Sequence, residues 1–294
     1  MTRSSIDLGD RLAETGFLPT LEQIGHAVAT QGISALLVGA TARDLVLHYG
    51  YGATIRRATR DIDFGVQVTS WQAFQQLREQ LMATGWNTTP ALPHRLISPD
   101  RVQVDLVPFG DAVTDHAGQI AWPPSGEIVM TVLGFQEALD HALQVRVNGQ
   151  PPIDVLVASP AGSTLLKLVA WSEREGSFRR KDAIDLAYLM SQYEIVPDVL
   201  GRLYGDEADI LARYGYDPKI AGAWLLGHDI AQLAQAETGK YLSRLLTDGM
   251  VGRSMDQLIL DMCAGQEGAY EIQEILLRAF IAGYMSAYDY RSTP

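Results

Sequence analysis

The sequence predicts an α+β fold: a mixed β-sheet with flanking helices in the N-terminal half, followed by a mostly α-helical C-terminal half. Three observations carry this reading. Between residues 35 and 157, short apolar runs are bounded by Gly, Pro and Asn, the pattern of strands joined by turns. Two stretches within and before that region, 7–31 and Trp71–Thr84, instead show apolar residues at helical spacing. From Pro160 onward the strand pattern vanishes and helical spacing runs to the end. The change at Pro160 sets two domains, 1–158 and 159–294. A chain of 294 residues with 47% apolar and 20% charged residues has ample material for both cores.

Taken in order, residues 7–31 read as one or two helices through Leu8, Leu12, Phe17, Leu21, Ile24 and Val28. Ala35–Val38 is a buried strand, and Gly39 turns it into a helix holding Leu45, Val46 and Leu47. Gly50 and Gly52 end that helix. Asp61 opens a strand running to about Val68. Trp71–Thr84 is amphipathic through Phe74, Leu77 and Leu81, and Gly85 is suited to its C-terminal cap. Strands at 95–98 and 102–107 form a hairpin around Pro99-Asp100. Residues 110–127 have the Gly, Pro and Ser content of a long surface loop, in which we read Asp115-His116 as structural. Strands follow at Ile128–Val132, Gln144–Val147 and Ile153–Val157, with a short helix at Phe135–Leu143 and a hairpin signal at Asn148-Gly149. Ser159-Pro160 starts the helical half, whose first helices cover Thr164–Arg174 and Arg180–Met190. The tyrosines at 284, 288 and 290 lie near helical spacing and read as packing residues.

The chemistry concentrates on the Asp61 strand. Asp61 and Asp63 leave one face of that strand, while Ile62 and Phe64 point into a core. Two like charges at neighbouring same-face positions repel unless a cation lies between them. A pair of hard carboxylate oxygens suits Mg²⁺ or Mn²⁺. Asp105 sits mid-strand in Val-Gln-Val-Asp-Leu-Val, where a carboxylate is costly unless metal-bound or paired to an arginine. Of these two readings we favour the metal. Upstream, strand, glycine turn and helix start at Gly39 make a phosphate-binding corner.

These residues resemble the core of the DNA polymerase β-type nucleotidyltransferases, an apolar residue and a small-residue turn followed by Asp-x-Asp on a strand. Here the pieces are Val38-Gly39-Ala40-Thr41 and Asp61-Ile62-Asp63. Ala40 stands where the family has Gly or Ser, and the spacer to Asp61 is longer than in minimal members. Gly39 to Asp44 is similar to the Gly-Gly-x-x-Arg-Asp turn of the poly(A) polymerases and CCA-adding enzymes. Arg57 to Phe64 resembles the Arg-x-(Ser/Thr)-x-Asp-Ile-Asp signature of AbiEii-type nucleotidyltransferase toxins, and Lys167, Arg174, Asp182 and Asp185 match that family's helical signature.

The resemblance implies a metal-dependent transfer of a nucleoside monophosphate from an NTP to a hydroxyl acceptor. Asp61, Asp63 and Asp105 would hold Mg²⁺ (or Mn²⁺). Gly39, Ala40, Thr41, Arg57, Lys167 and Asp182 would serve the nucleotide, with the helical half completing the cleft. The acceptor expected is an RNA or tRNA end or a protein, and an antitoxin partner is implied. On residues alone, Lys167 could instead snorkel to solvent from an apolar helix face.

Composition bounds the alternatives. A net charge of −12 argues against broad nucleic-acid binding, although Arg56, Arg57 and Arg60, and Arg179, Arg180 and Lys181, form two local basic clusters. A single cysteine, Cys263, a polar N-terminus and the lack of a long apolar run lead us to expect a cytoplasmic protein without membrane spans. There is no P-loop, since Thr238-Gly239-Lys240 lacks the earlier glycine, and no His or Cys pattern for zinc. A small cationic acceptor such as an aminoglycoside, or a non-catalytic nucleotide-binding module, are the other functions this scaffold admits.

Overall fold

A computed structural model describes residues 3–12, 15–55, 61–89, 92–148, 151–247, 249, 252–266 and 268–292, with side chains to 288. The chain divides into two compact units, Met1–Ser159 and Pro160–Pro294.

The first unit is built on a mixed sheet of eight strands. These are β1 (Ser5–Asp7), β2 (Ser34–Val38), β3 (Asp61–Gln67), β4 (Asn87–Thr89), β5 (Leu92–Ile97), β6 (Gln103–Phe109), β9 (Leu143–Val147) and β10 (Ile153–Val157), in the spatial order β1-β9-β10-β2-β3-β6-β5-β4. β7 (Gln119–Ala121) and β8 (Val129–Thr131) form a separate hairpin. At the centre β2 runs antiparallel to β3, and β3 parallel to β6. β6 then pairs antiparallel with β5 through the turn at Pro99-Asp100. Ile62, Phe64, Val104 and Leu106 are buried on one face of β3 and β6, so the alternation read from sequence holds there. Helix α1 (Leu18–Gln31) buries Leu21, Ile24 and Ala27. Helix α3 (Trp71–Ala83), capped by the Ser70 hydroxyl accepting from the Ala73 amide, buries Phe74, Leu77 and Leu81 and packs against α1.

The structure corrects several element boundaries. Residues 5–7 form β1, paired in parallel with β9, and residues 8–12 and 15–17 are turns and bends rather than helix. Leu8 and Leu12 are buried as expected, but from a turn whose Leu8 amide bonds the Arg146 carbonyl. The helix after Gly39 begins as α2 (Gly39–Arg43) and widens into a π-helical stretch over Asp44–Gly50. The stretch read as a loop over 110–127 contains β7, with Ile120 and Trp122 buried. Asp115 is structural, its carboxylate accepting from the Ala117 and Gln119 amides. Helix α4 (Phe135–Asp140) is shorter than read, and β4 was not foreseen. Gly149, part of the expected hairpin signal, lies outside the described residues.

The second unit is helical: α5 (Pro160–Glu173), α6 (Gly176–Gln192), a 3₁₀ turn at Tyr193–Ile195, α7 (Pro197–Leu203), α8 (Ala208–Arg213), α9 (Pro218–Leu233), α10 (Ala236–Thr247), α11 (Met255–Cys263) and α12 (Tyr270–Ser292). None of the described helices is long and apolar enough to cross a membrane. Helices α9 and α12 make the tightest crossing. A Cβ at Gly227 would overlap the Phe280 carbonyl oxygen, and one at Gly283 would overlap that of Trp224. The two glycines let the backbones touch reciprocally. Tyr284, fully buried at this crossing, donates to the Gly239 carbonyl and stacks on Tyr288, so both act as packing residues. The side chain at 290 lies outside the described residues.

Several carboxylates of this unit, among them buried Asp182, Asp185 and Asp261 and half-buried Asp229, are held by cations or donors within it. Asp229 takes the Arg202 fork and the Tyr193 hydroxyl. Asp261 accepts from Trp171, Arg179 and Gln257. Asp182, on α6, lies 2.7 Å from the Lys167 ammonium of α5, which also reaches Asp185 at 2.8 Å. Burial alone would lower the Lys167 ammonium, but Asp185 and Asp182 outweigh it and hold the group above its ordinary value.

Two outcomes follow from this packing. Gly227→Ala and Gly283→Ala each lower unfolding stability by about 1–3 kcal/mol or more, read as a shift in urea midpoint, because the displaced atoms are helix backbone. Lys167→Met costs about 3–5 kcal/mol near neutral pH, since it strands two buried carboxylates. Because the folded ammonium titrates above its unfolded value, its contribution is complete below roughly pH 10.4 and is lost as pH rises through the folded value. Urea titrations across that window therefore fall for wild type, while the Lys167→Met variant lacks this component.

Candidate active site

The site is assembled on one face of the first unit's sheet. Register places Val38 opposite Asp63 and Asp63 opposite Asp105, while Asp61 lies opposite Gln103. Directly paired residues share a face, so Asp63 and Asp105 stand side by side on parallel strands, with Asp61 one step along. The buried apolar residues of β3 and β6 fix these positions from the opposite face.

Gly39 sits at the end of β2 with φ +74, where the chain leaves the strand for α2. A Cβ there would overlap the Asp63 carboxylate. The turn is thus shaped by glycine on two counts: positive φ, and the space Asp63 fills. Ala40 is buried behind the turn. Thr41 is also buried, and its hydroxyl donates to the Asp61 backbone carbonyl at 2.8 Å. That bond ties the glycine turn to the start of the carboxylate strand. It also commits the hydroxyl internally, so any contact of Thr41 with phosphate falls to its backbone. Arg43 and Asp44, the end of the Gly-x-x-x-Arg-Asp segment, form a buried ion pair at 2.7 Å.

One residue that the sequence reading missed dominates the site. Arg95 of β5 lies opposite Asp105 and grips it with two hydrogen bonds, Nε to Oδ1 at 2.7 Å and a terminal nitrogen to Oδ2 at 2.8 Å. Its guanidinium is held above its ordinary value by the hydrogen bond to Asp105, against partial burial, and by the charges of Asp105, Asp61 and Asp63. All three carboxylates therefore act on this one cation. His94 Nε2 lies 3.9 Å from Asp105 Oδ2. The arginine was legible in principle: counting outward from the Pro99-Asp100 turn brings position 95 opposite 105.

The register brings the three carboxylates to one sheet face, and a guanidinium engages one of them. Asp105 is on the expected face and beside Asp63, but it is engaged by Arg95, the arginine pairing weighed against metal ligation. Among the described residues no group of three or more acidic, His or Cys side chains stands ready as a metal cage. The donor chemistry still fits a hard divalent cation. Three carboxylates share one sheet face, and a guanidinium stands among them in the role of counter-charge.

Arg57, with Arg56 and Arg60, is outside the described residues. Lys167 and Asp182 belong to the helical unit, where they bind one another, and Arg174 adds a contact to Asp182 at 3.2 Å. Lys167 is therefore no snorkelling surface lysine. Within the second basic cluster, Arg179 is tied to Asp261 at 2.8 Å, while Arg180 and Lys181 are exposed, Lys181 over the Phe178 ring.

No curated protein matches the chain closely enough to count as a relative. A family model described as nucleotidyl transferase AbiEii toxin, type IV toxin–antitoxin system, matches residues 26–246. That span contains the glycine turn, the three carboxylates and the Lys167–Asp185 network. The chain belongs to the AbiEii nucleotidyl transferase toxin family.

Proposed function

We propose that this protein transfers a nucleoside monophosphate from an NTP to a hydroxyl acceptor on an RNA or protein, releasing pyrophosphate, using Mg²⁺ or Mn²⁺. The observation that carries the reading is the register of β3 and β6, which sets Asp63 beside Asp105 and beneath the Gly39 turn. Asp61, Asp63 and Asp105 would hold the metal. Bound there, a divalent cation supplies Lewis acidity to the acceptor hydroxyl and counter-charge to the triphosphate.

The chain's own groups divide the remaining work. The backbone of Gly39, Ala40 and Thr41 is placed at a strand-to-helix turn, where amides can meet phosphate oxygens. Asp105, once released by Arg95, is the carboxylate suited to take the acceptor's proton. Arg57 would add positive charge beside the triphosphate. Lys167 and Asp182 enter the reading through the family resemblance. Their mutual ion pair keeps the lysine charged, the state a phosphate contact requires. Membership of a toxin family supports an antitoxin as a partner. A cytoplasmic setting is consistent with the lone cysteine, Cys263, a free thiol.

Incubation with Mg²⁺, labelled NTPs and total RNA or cell protein tests the activity. Wild type labels an acceptor, and Asp63→Ala loses at least about a hundredfold of that rate. Equal labelling by the two proteins refutes the assignment. Gly39→Ala keeps its far-UV circular dichroism, loses about 1–3 kcal/mol of stability and drops labelling by about tenfold or more, because its Cβ displaces the Asp63 carboxylate.

A further inference from the structure

We propose that Arg95 is a built-in counter-cation that a divalent metal must displace: it holds Asp105 when no metal is bound and yields that carboxylate when the metal enters. The proposal rests on the carboxylate site described above and adds a residue that competes for it. Three facts support it. Arg95 and Asp105 face one another across paired strands, and both Asp105 oxygens are engaged, at 2.7 and 2.8 Å. Asp105 is the register neighbour of Asp63. The Arg95 side chain is 25% exposed, so it has a route to solvent when it lets go.

The physical argument is a competition between two cations. A bidentate arginine–carboxylate pair is a strong charge-assisted contact. Three carboxylates gathered on one sheet face would repel without counter-charge, and the guanidinium supplies part of it. A divalent ion bringing Asp105 into its ligand shell would sit within a few ångströms of the arginine, and two positive charges at that range repel. Coordination and the two-pronged arginine contact therefore exclude one another. The metal's net affinity is its gain on the three carboxylates less the cost of breaking the Arg95 fork. The long arginine side chain can swing outward, where it faces incoming phosphate rather than carboxylate. Arg95 is in this sense a positioning residue that sets when the site is loaded.

Manganese binding to the full chain, followed by electron paramagnetic resonance of free Mn²⁺ without nucleotide, tests this separately from activity. Arg95→Gln removes the competing charge and tightens Mn²⁺ binding by about tenfold, the size of one lost charge-assisted contact. Arg95→Gln binding Mn²⁺ no more tightly than wild type overturns the proposal. Asp63→Asn serves as the control on the underlying site. If it binds Mn²⁺ as wild type does, the carboxylate site itself is wrong, an outcome distinct from an unchanged Arg95→Gln. A second measurement needs no loss of the guanidinium fold contact: the Arg95 Nε–H resonance of wild type, assigned by its absence in Arg95→Lys, followed during Mg²⁺ titration. It shifts or vanishes through exchange with water as the site saturates. An Nε–H signal unmoved at saturating Mg²⁺ also overturns the proposal, even where Arg95→Gln does not fold.

Discussion

Repulsion among like charges on neighbouring strands is the constraint around which the first unit is arranged. Asp61, Asp63 and Asp105 occupy one face of β3 and β6, and nothing in the strand geometry allows them to move apart. Ile62, Phe64, Val104 and Leu106 are buried on the reverse face, so a slip of one residue would send carboxylates into the core. The hydrophobic face thus enforces a crowded acidic one. Arg95 answers the repulsion from β5, Gly39 makes the space for Asp63, and the Thr41 hydroxyl fastens the turn to the Asp61 backbone. Remove any of these and the strand pairing must bear the cost.

The helical unit meets a related difficulty by burying cations with acids. Lys167 sits between Asp182 and Asp185, and Asp261 and Asp229 gather their own donors. Such networks contribute little net stability relative to apolar packing, yet they are costly to break singly. They link neighbouring helices side chain to side chain, while Gly227 and Gly283 let the α9 and α12 backbones approach closely. In a member of a nucleotidyl transferase toxin family, a lysine kept charged by two acids is a different object from a lysine on a solvent face.

Much of this was readable in the sequence because period-2 and period-3.6 patterns are set by burial alone. The Asp61 strand, the α3 helix and the helical half follow from apolar spacing, and Gly39 from its place after a buried strand. What escaped depends on long-range pairing. β1 is three residues long and becomes a strand only because β9 lies beside it. Residues 119–121 join a strand only when Val129–Thr131 folds back on them. The widened helical turns over Asp44–Gly50 have no local signature distinct from an α-helix. Arg95 was overlooked because a charged residue at a hairpin start reads as solvated surface, and only the register with Asp105 reveals its partner. The partners of Lys167 lie on the next helix, which a single-helix pattern does not expose.

The two borders of the large sheet are its shortest members: β1 spans Ser5–Asp7 and β4 spans Asn87–Thr89, three residues each. A border this short offers a stranger's backbone only a ladder rung or two. Zipper-like growth from one molecule to the next, the hazard of any open sheet, therefore has only a short template at either margin. The β4 border covers the strand that carries Arg95 only at Leu92, Leu96 and Ile97, with a register shift between them, so Arg95 takes its strand partner from Asp105 on the inner side alone.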